Sequence, residues 1–256
     1  MSNAGEPNAL AAVPESAAPE QVAPGQPVAG GAAPRSIRRR DPDATKQNIL
    51  EVATAEFADR GYSGAGVDDI ADRTHTTKRM IYYYFGSKEG LYLAVLERAY
   101  EVIRDLEQTL DVTGMPPVQG LRRLAEFTYD HHTSHRDFVR LVSIENTHRA
   151  EHLSRSTSIP ALNSRAIETL TDVLERGIAE GVFRSDLSAL DVHMLISSYP
   201  IFHVANRYTF RALFDLDMLD PAKHDHYRRL AGDMVVATLT AGAPSARPLP
   251  TEGSQP

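Results

Sequence analysis

Apolar positions along most of this chain recur at spacings of three and four, the period of a helix buried on one side. Ile49, Val52, Ala53 and Phe57 form the first such stripe, on a helix predicted to start near Asp41, Pro42 or Asp43 and to end at Gly61. Aspartate caps a helix, proline is allowed in its first turn, and glycine suits the left-handed residue that closes it. Val67, Ile70 and Ala71 define a short second helix, with Asp68 and Asp69 in the first turn, where the helix dipole favours carboxylates. Thr74, His75, Thr76 and Thr77 break the period, and the Thr77 hydroxyl can accept from the N–H groups that open a third helix. There Ile81 and Phe85 should face inward, leaving Lys78 below Tyr82 and Arg79 below Tyr83 on the outward side. A fourth helix, capped by Ser87, carries Leu91, Val95, Val102 and Leu106 and should run about 20 residues, some 30 Å, before Gly114 to Pro117 stop it. It is the natural lever between the N-terminal helices and whatever follows.

Beyond Pro117 the helical period continues. Leu121, Leu124, Ala125 and Thr128 begin one helix, Phe138 to Ile144 form another, and Ile167, Leu170, Leu174 and Ile178 a third that ends at Gly181. Asp191 to Phe214 and Tyr227 to Leu239 complete an all-α chain of about nine helices, without strand alternation or a glycine-rich nucleotide loop. The stretch from Asp191 to Tyr208 is apolar on more than one side, which places it inside a core or against a partner. Pro200 within it cannot donate to the Ile196 carbonyl and should kink the helix near Tyr199, His203 and Asn206. That kink either borders a ligand pocket or is a core feature whose polar side chains are simply satisfied.

Composition narrows the class. In 256 residues, 42% hydrophobic content suffices for a core and 24% charged residues fits a soluble protein. The absence of cysteine excludes disulfides, thiolate zinc sites and cysteine nucleophiles together. Residues 1–34 are dominated by Ala, Pro and Gly and are followed by a basic arm, Arg35, Arg38, Arg39 and Arg40, so 1–40 reads as a disordered tail ending in that arm. The arm suits a DNA phosphate strand or minor groove, and equally a solubilising linker. The short apolar run Ala9 to Val13 is no secretory leader, so a cytoplasmic protein is expected; residues 242–256, rich in Pro, Ser and Gly, read as a second tail.

The charge pattern singles out Val67 to Lys88. No acidic residue occurs from Arg73 to Lys88, although the chain carries a formal charge of -7. A cationic, aromatic helix face in an acidic protein fits a nucleic-acid backbone; alternatively the tyrosines pack and the cations are merely solvated. Lys88, at the first position of a helix, joins a side-chain cation to exposed N–H groups and favours the phosphate reading. The block from Thr45 to Leu93, with KQNILEVATAEFADRGYSGAGVDDIA and KRMIYYYFGSKEGL, resembles the DNA-binding domain of the TetR family of bacterial transcriptional repressors.

The resemblance implies a helix-turn-helix domain over 41–88 and a helical effector-binding and dimerisation domain over 89–241. Operator DNA would be contacted by Thr77, Lys78, Arg79, Tyr82, Tyr83, Tyr84 and Lys88. It also implies a homodimer joined through the last two long helices, around Asp191 to Phe214 and Pro221 to Leu239, as a four-helix bundle. The chain departs from the family pattern at Ala65 and Gly66, where a capping Thr or Ser is usual, and at His75, where a turn glycine is usual. Arg79 stands where a small residue is common; it can reach guanine edges or hold a phosphate.

The effector is open from sequence. Tyr129, His132, Phe138, Asn146, His148, Tyr199, His203 and Asn206 would mix aromatic faces with hydrogen-bonding groups, which suits a small polar or heterocyclic compound. The C-terminal half also loosely resembles that of family members controlling catabolism of small nitrogen heterocycles. His148 and His152 have metal-compatible spacing, but Arg149 replaces the glutamate of a zinc-protease helix and two ligands are too few, so no metal or cofactor is predicted. Neither a nucleophile with its base nor paired carboxylates appear, so an enzyme is not expected, and no membrane partner is. The reading is a DNA-binding regulator, most simply a repressor released by a small molecule. An all-α ligand carrier or enzyme with an incidental basic helix, and a DNA-binding protein without an effector, are the alternatives.

Overall fold

A computed structural model describes residues 41–241. The two predicted tails, with the arginine arm, lie outside the described residues. Within them all regular structure is helical: α1 (Pro42–Gly64), α2 (Val67–Arg73), α3 (Lys78–Phe85), α4 (Lys88–Gln108), α5 (Pro117–Ser134), α6 (Arg136–Thr147), α7 (Ile159–Ala179), α8 (Ala189–Ala205), α9 (Arg207–Phe214) and α10 (His224–Thr240).

The helix ends follow local chemistry. Asp41 Oδ1 accepts from the Asp43 N–H at 3.0 Å and opens α1. Gly61, at φ 68°, breaks that helix before one further turn, as the glycine at this position predicted. The Ser87 hydroxyl accepts from the Gly90 N–H at 3.0 Å and starts α4. Ser188 and Asp191 cap α8 reciprocally, and Gly181, at φ 69°, ends the turn after α7.

One core fills the N-terminal unit, where Ile49, Ala53, Phe57, Val67, Ile70 and Ile81 are buried together with Leu91 and Val95 of α4. Leu141 of α6 and Ile159 of α7 join that same cluster, so α4 carries the N-terminal core directly into the second half of the chain. A second core gathers Leu121 and Ala125 of α5, Leu170, Val173 and Leu174 of α7, Val192 and Ile196 of α8, and Val235 and Leu239 of α10.

Three features differ from the periodic expectation. The segment Asp191 to Phe214 is two helices rather than one, which makes ten α-helices among the described residues. The break falls at Asn206, which leaves helical geometry at φ -102° and ψ 6°, closes α8 through its N–H to Phe202 O and opens α9 with its own carbonyl. The helix runs on through Pro200, which is buried. In α4 the inward face turns after Leu96: Ile103 and Arg104 are buried, whereas Val102 is half-buried and Leu106 is 37% exposed. The first half of α4 packs in the N-terminal core and the second half meets different neighbours, so a single stripe does not serve the whole length. In α7, Leu174 is buried as predicted but Ile178 faces outward, because Gly177 takes the inward position and the Phe183 ring lies on it.

Candidate nucleic-acid interface and regulatory domain

The N-terminal unit presents α3 on a support made by α1, α2 and the start of α4. Gly66 gives α2 no side-chain cap, in keeping with the missing Thr or Ser there. The turn is closed instead by Thr74, whose hydroxyl donates to Ile70 O at 2.8 Å, and by His75, which takes φ 50°. Histidine tolerates this left-handed region better than bulkier residues do. Thr77 accepts from the Met80 N–H at 3.2 Å and starts α3, so its hydroxyl is engaged in capping.

Along α3 the two faces separate as the spacing requires. Ile81 is fully buried, and Phe85 and Tyr84 pack half-buried against the N-terminal core. Tyr83 is 78% exposed and Tyr82 37%, with Lys78 and Arg79 on the open side. Lys88 folds back toward the end of α1: its Nζ is 3.4 Å from Ser63 O and lies 5.0 Å from the Tyr62 ring centre. Of the residues proposed for DNA contact, Lys78, Arg79, Tyr82 and Tyr83 therefore share one exposed face. Tyr84 stands at its inner edge, and Thr77 and Lys88 flank it in capping and packed positions.

Space adds charges that the sequence window hid. Asp68 of α2 holds Lys78 Nζ at 2.9 Å, which raises the lysine pKa through the hydrogen bond, and Asp69 holds Arg60 at 2.9 Å. Arg79 makes no ion pair among the described residues. Behind this surface Glu56 is 4% exposed and lies 3.0 Å from both Arg60 and Arg73, tying α1 to the end of α2. The sequence signal for it was Arg60 at i+4, which passes for an ordinary surface pair.

In the C-terminal half, the eight residues proposed to line one pocket fall at several places. Tyr129, Tyr199 and His203 meet, with Tyr129 Oη 3.4 Å from His203 Nδ1 and the Tyr199 and His203 rings 4.3 Å apart. Burial pushes the Tyr199 phenol up to about 12 and lowers the His203 pKa. His132 and Phe138 pack ring to ring at 5.3 Å. Asn146 and His148 sit at the exposed end of α6, and Asn206 donates to Phe202 O at 3.2 Å.

Polar groups that periodicity passed over are buried beside these. Arg104, 4% exposed, pairs with Glu107 on its own helix. His131, next to His132, is buried and stacks on His135, its partner at i+4. Glu145, 2% exposed, accepts from the His152 and Leu153 N–H groups at 3.2 and 2.8 Å and faces His152 Nδ1 at 3.2 Å. It closes a turn in which Arg149 and Ala150 both take positive φ. The same loop grips α4: Arg155 pairs with Glu89, and the Ser156 and Ser158 hydroxyls donate to Glu97 at 2.7 and 2.9 Å.

Two short helices joined by a tight turn, the second one offering cations and tyrosines to solvent from a packed three-helix support, define a helix-turn-helix DNA-binding protein. Residues 49–95 match the family described as "Bacterial regulatory proteins, tetR family", and residues 117–235 match "Tetracyclin repressor-like, C-terminal domain". The chain is similar to the HTH-type transcriptional repressor NicS of Pseudomonas putida, at 32% identity over 203 residues that cover 79% of this chain and 96% of the relative. It is also similar to the HTH-type transcriptional repressor SCO4008 of Streptomyces coelicolor, at 32% over 159 residues, 60% of this chain and 78% of that one. Among solved structures, SCO4942 from Streptomyces coelicolor superposes with a TM-score of 0.57 at 26% identity, covering 76% of this chain and 98% of the other. The chain belongs to the TetR family and is a DNA-binding transcriptional regulator. No helix among the described residues is long and apolar enough to cross a membrane.

Proposed function

We propose that the chain acts in the bacterial cytoplasm as a dimeric repressor that leaves its operator when a small molecule binds among the C-terminal helices. The exposed α3 face carries the reading: Lys78, Arg79, Tyr82 and Tyr83 point outward together while Ile81 anchors the helix. In the major groove, Arg79 is placed to read a base edge and the tyrosines to pack on the backbone and bases. Thr77 and Lys88 supply the flanking phosphate contacts, and Tyr84 supports the reader from its inner edge.

Two copies would join through α8 and α10. Leu190, Met194, Leu195 and Phe202 of α8 and Met234 of α10 are exposed in the single chain, an apolar surface of the kind that obligate homodimers cover. The effector acts only as far as it binds one arrangement of the two reading helices more tightly than the other. Fluorescence anisotropy on DNA from upstream of the chain's own gene, against a scrambled duplex across a salt series, tests this. A preference of about a thousandfold or more for one short palindromic site is expected. Equal, steeply salt-dependent binding to both duplexes would reduce α3 to a phosphate-gripping helix.

A further inference from the structure

Lys88 opens α4, yet what its side chain rests on is set from the other half of the chain. The ammonium lies 5.0 Å from the centre of the Tyr62 ring, and its hydrogen bond to Ser63 O spans 3.4 Å. Both contacts are with the last turn of α1, and Gly61, at φ 68°, breaks that turn from the helix before it. Helix geometry therefore does not hold Tyr62 in place; packing does.

The packing comes from His152. Its ring, 7% exposed, lies 4.3 Å from that of Tyr62 and meets Tyr92 of α4 edge-on at 4.9 Å. His152 stands on the loop after α6, in a turn where Arg149 and Ala150, consecutive and neither of them glycine, take φ 58° and 56°. Such residues stay in the left-handed region only where their surroundings over-determine it. Glu145 does so here. One of its carboxylate oxygens accepts from the His152 and Leu153 N–H groups at 3.2 and 2.8 Å, and the other faces His152 Nδ1 at 3.2 Å. Because Glu145 is 2% exposed, removing this acceptor would leave two N–H groups unpaired inside the fold, a larger loss than that of an ordinary hydrogen bond. The same loop also reaches the residue beside Lys88, since Arg155 pairs with Glu89.

A lysine side chain is a compact charge on a flexible stem, and it loses much of its freedom on meeting a phosphate. A ring that already confines the ammonium removes part of that cost before DNA arrives. Whatever seats the ring therefore governs the contact.

We propose that Glu145 is a positioning residue for DNA binding: through His152 and Tyr62 it fixes the Lys88 ammonium at the start of α4. A buried carboxylate of the C-terminal half thereby tunes one phosphate contact without displacing α3. This rests on the reading of Lys88 as a phosphate contact given above.

Two measurements on the full chain test it. The first needs no DNA. An aromatic ring moves the ε-methylene protons of a lysine held over it upfield, and the chain has only four lysines to resolve. Proton–carbon NMR should show that displacement for Lys88 in the wild type, none in Tyr62→Leu and little in Glu145→Ala; a wild-type position in Glu145→Ala would overturn the relay. The second is anisotropy on DNA from upstream of the chain's own gene, across a salt series. Lys88→Ala should lower the salt slope by about one. Tyr62→Leu and Glu145→Ala should each weaken binding about two- to fivefold when Lys88 is present and leave it unchanged in the Lys88→Ala protein. Equal losses in both backgrounds would overturn the proposal, because a residue that only supports the fold acts with or without the lysine. Should Glu145→Ala fail to fold, His152→Ala breaks the same path one residue later and is read in the same cycle. An unchanged salt slope in Lys88→Ala sinks the phosphate reading of Lys88, whereas a lowered slope with equal losses sinks only the relay.

Discussion

Acid should destabilise this protein through His131 and His132, and the size of the effect follows from their burial. Both are 3% exposed near the end of α5, and burial, with Arg104 and other histidines nearby, pushes each pKa down from 6.5 to about 3. In the unfolded chain both rings bind a proton near pH 6.5; in the folded chain they stay neutral until about pH 3. The folded state therefore holds fewer protons inside that window. The stability is complete above the unfolded pKa and is lost as pH falls from about 6.5 toward 3. At pH 5, about 1.5 units into the window, each ring costs about 2 kcal/mol and the pair about 4. That is a large part of the roughly 5–15 kcal/mol of a typical domain. Urea unfolding followed by circular dichroism at about pH 7.5 and pH 5, on the wild type and on a variant combining His131→Gln with His132→Gln, measures it. His193 and His203, also lowered by burial, leave a residual slope in both proteins. The wild type should lose about 4 kcal/mol more than the variant between the two pH values; equal losses would refute the assignment.

Three further outcomes are expected. Arg79→Ala and Tyr83→Ala should each weaken operator binding by about 1–3 kcal/mol without changing the circular dichroism spectrum, because both side chains are exposed; unchanged anisotropy titrations would remove α3 as the reader. Asp68→Ala releases Lys78 from its ion pair, so DNA affinity should rise and its salt dependence steepen by about one phosphate contact; a flat response would mean that Lys78 does not reach DNA. Gly177→Ala places a methyl group against the buried Phe183 ring and should destabilise the fold by about 1–3 kcal/mol, read as a lower thermal midpoint; an unchanged midpoint would show that the ring moves aside freely.

The exposed face of α3 was legible because every instruction for it is local. Thr77, Ser87 and Gly61 punctuate the chain within one or two turns of the residues they govern, and Ile81 and Tyr83 are assigned to opposite faces by spacing alone. What periodicity could not supply is convergence. Lys78 sits in a window free of acids, yet Asp68, ten positions earlier, lies 2.9 Å away because α2 crosses beside it. Glu51, Arg98 and His131 belong to three helices and share one cleft only after folding. Arg104 and Glu145 read as surface charges because each lies among polar neighbours; their burial depends on which helices close over them. The break at Asn206 was hidden for a different reason: apolar residues continue on both sides of it, so hydropathy has no edge there.

The grip of the 145–158 loop on α4 bears on how the signalling proposed above would travel. Arg155 and the two serines hold Glu89 and Glu97, so the fixed zone centres about 7 Å from Lys88 and about 22 Å from Gln108 at 1.5 Å per residue. A stiff rod pivoted there behaves as an unequal balance. A swing of about 3 Å at the far end moves the near end by only about 1 Å, but both ends turn through the same angle of about 8°. Translation is attenuated and orientation passes undiminished, so release from DNA would be expected as a change in tilt between the two reading helices, visible as altered distances between spin labels on paired α3 helices while distances across the pivot stay fixed.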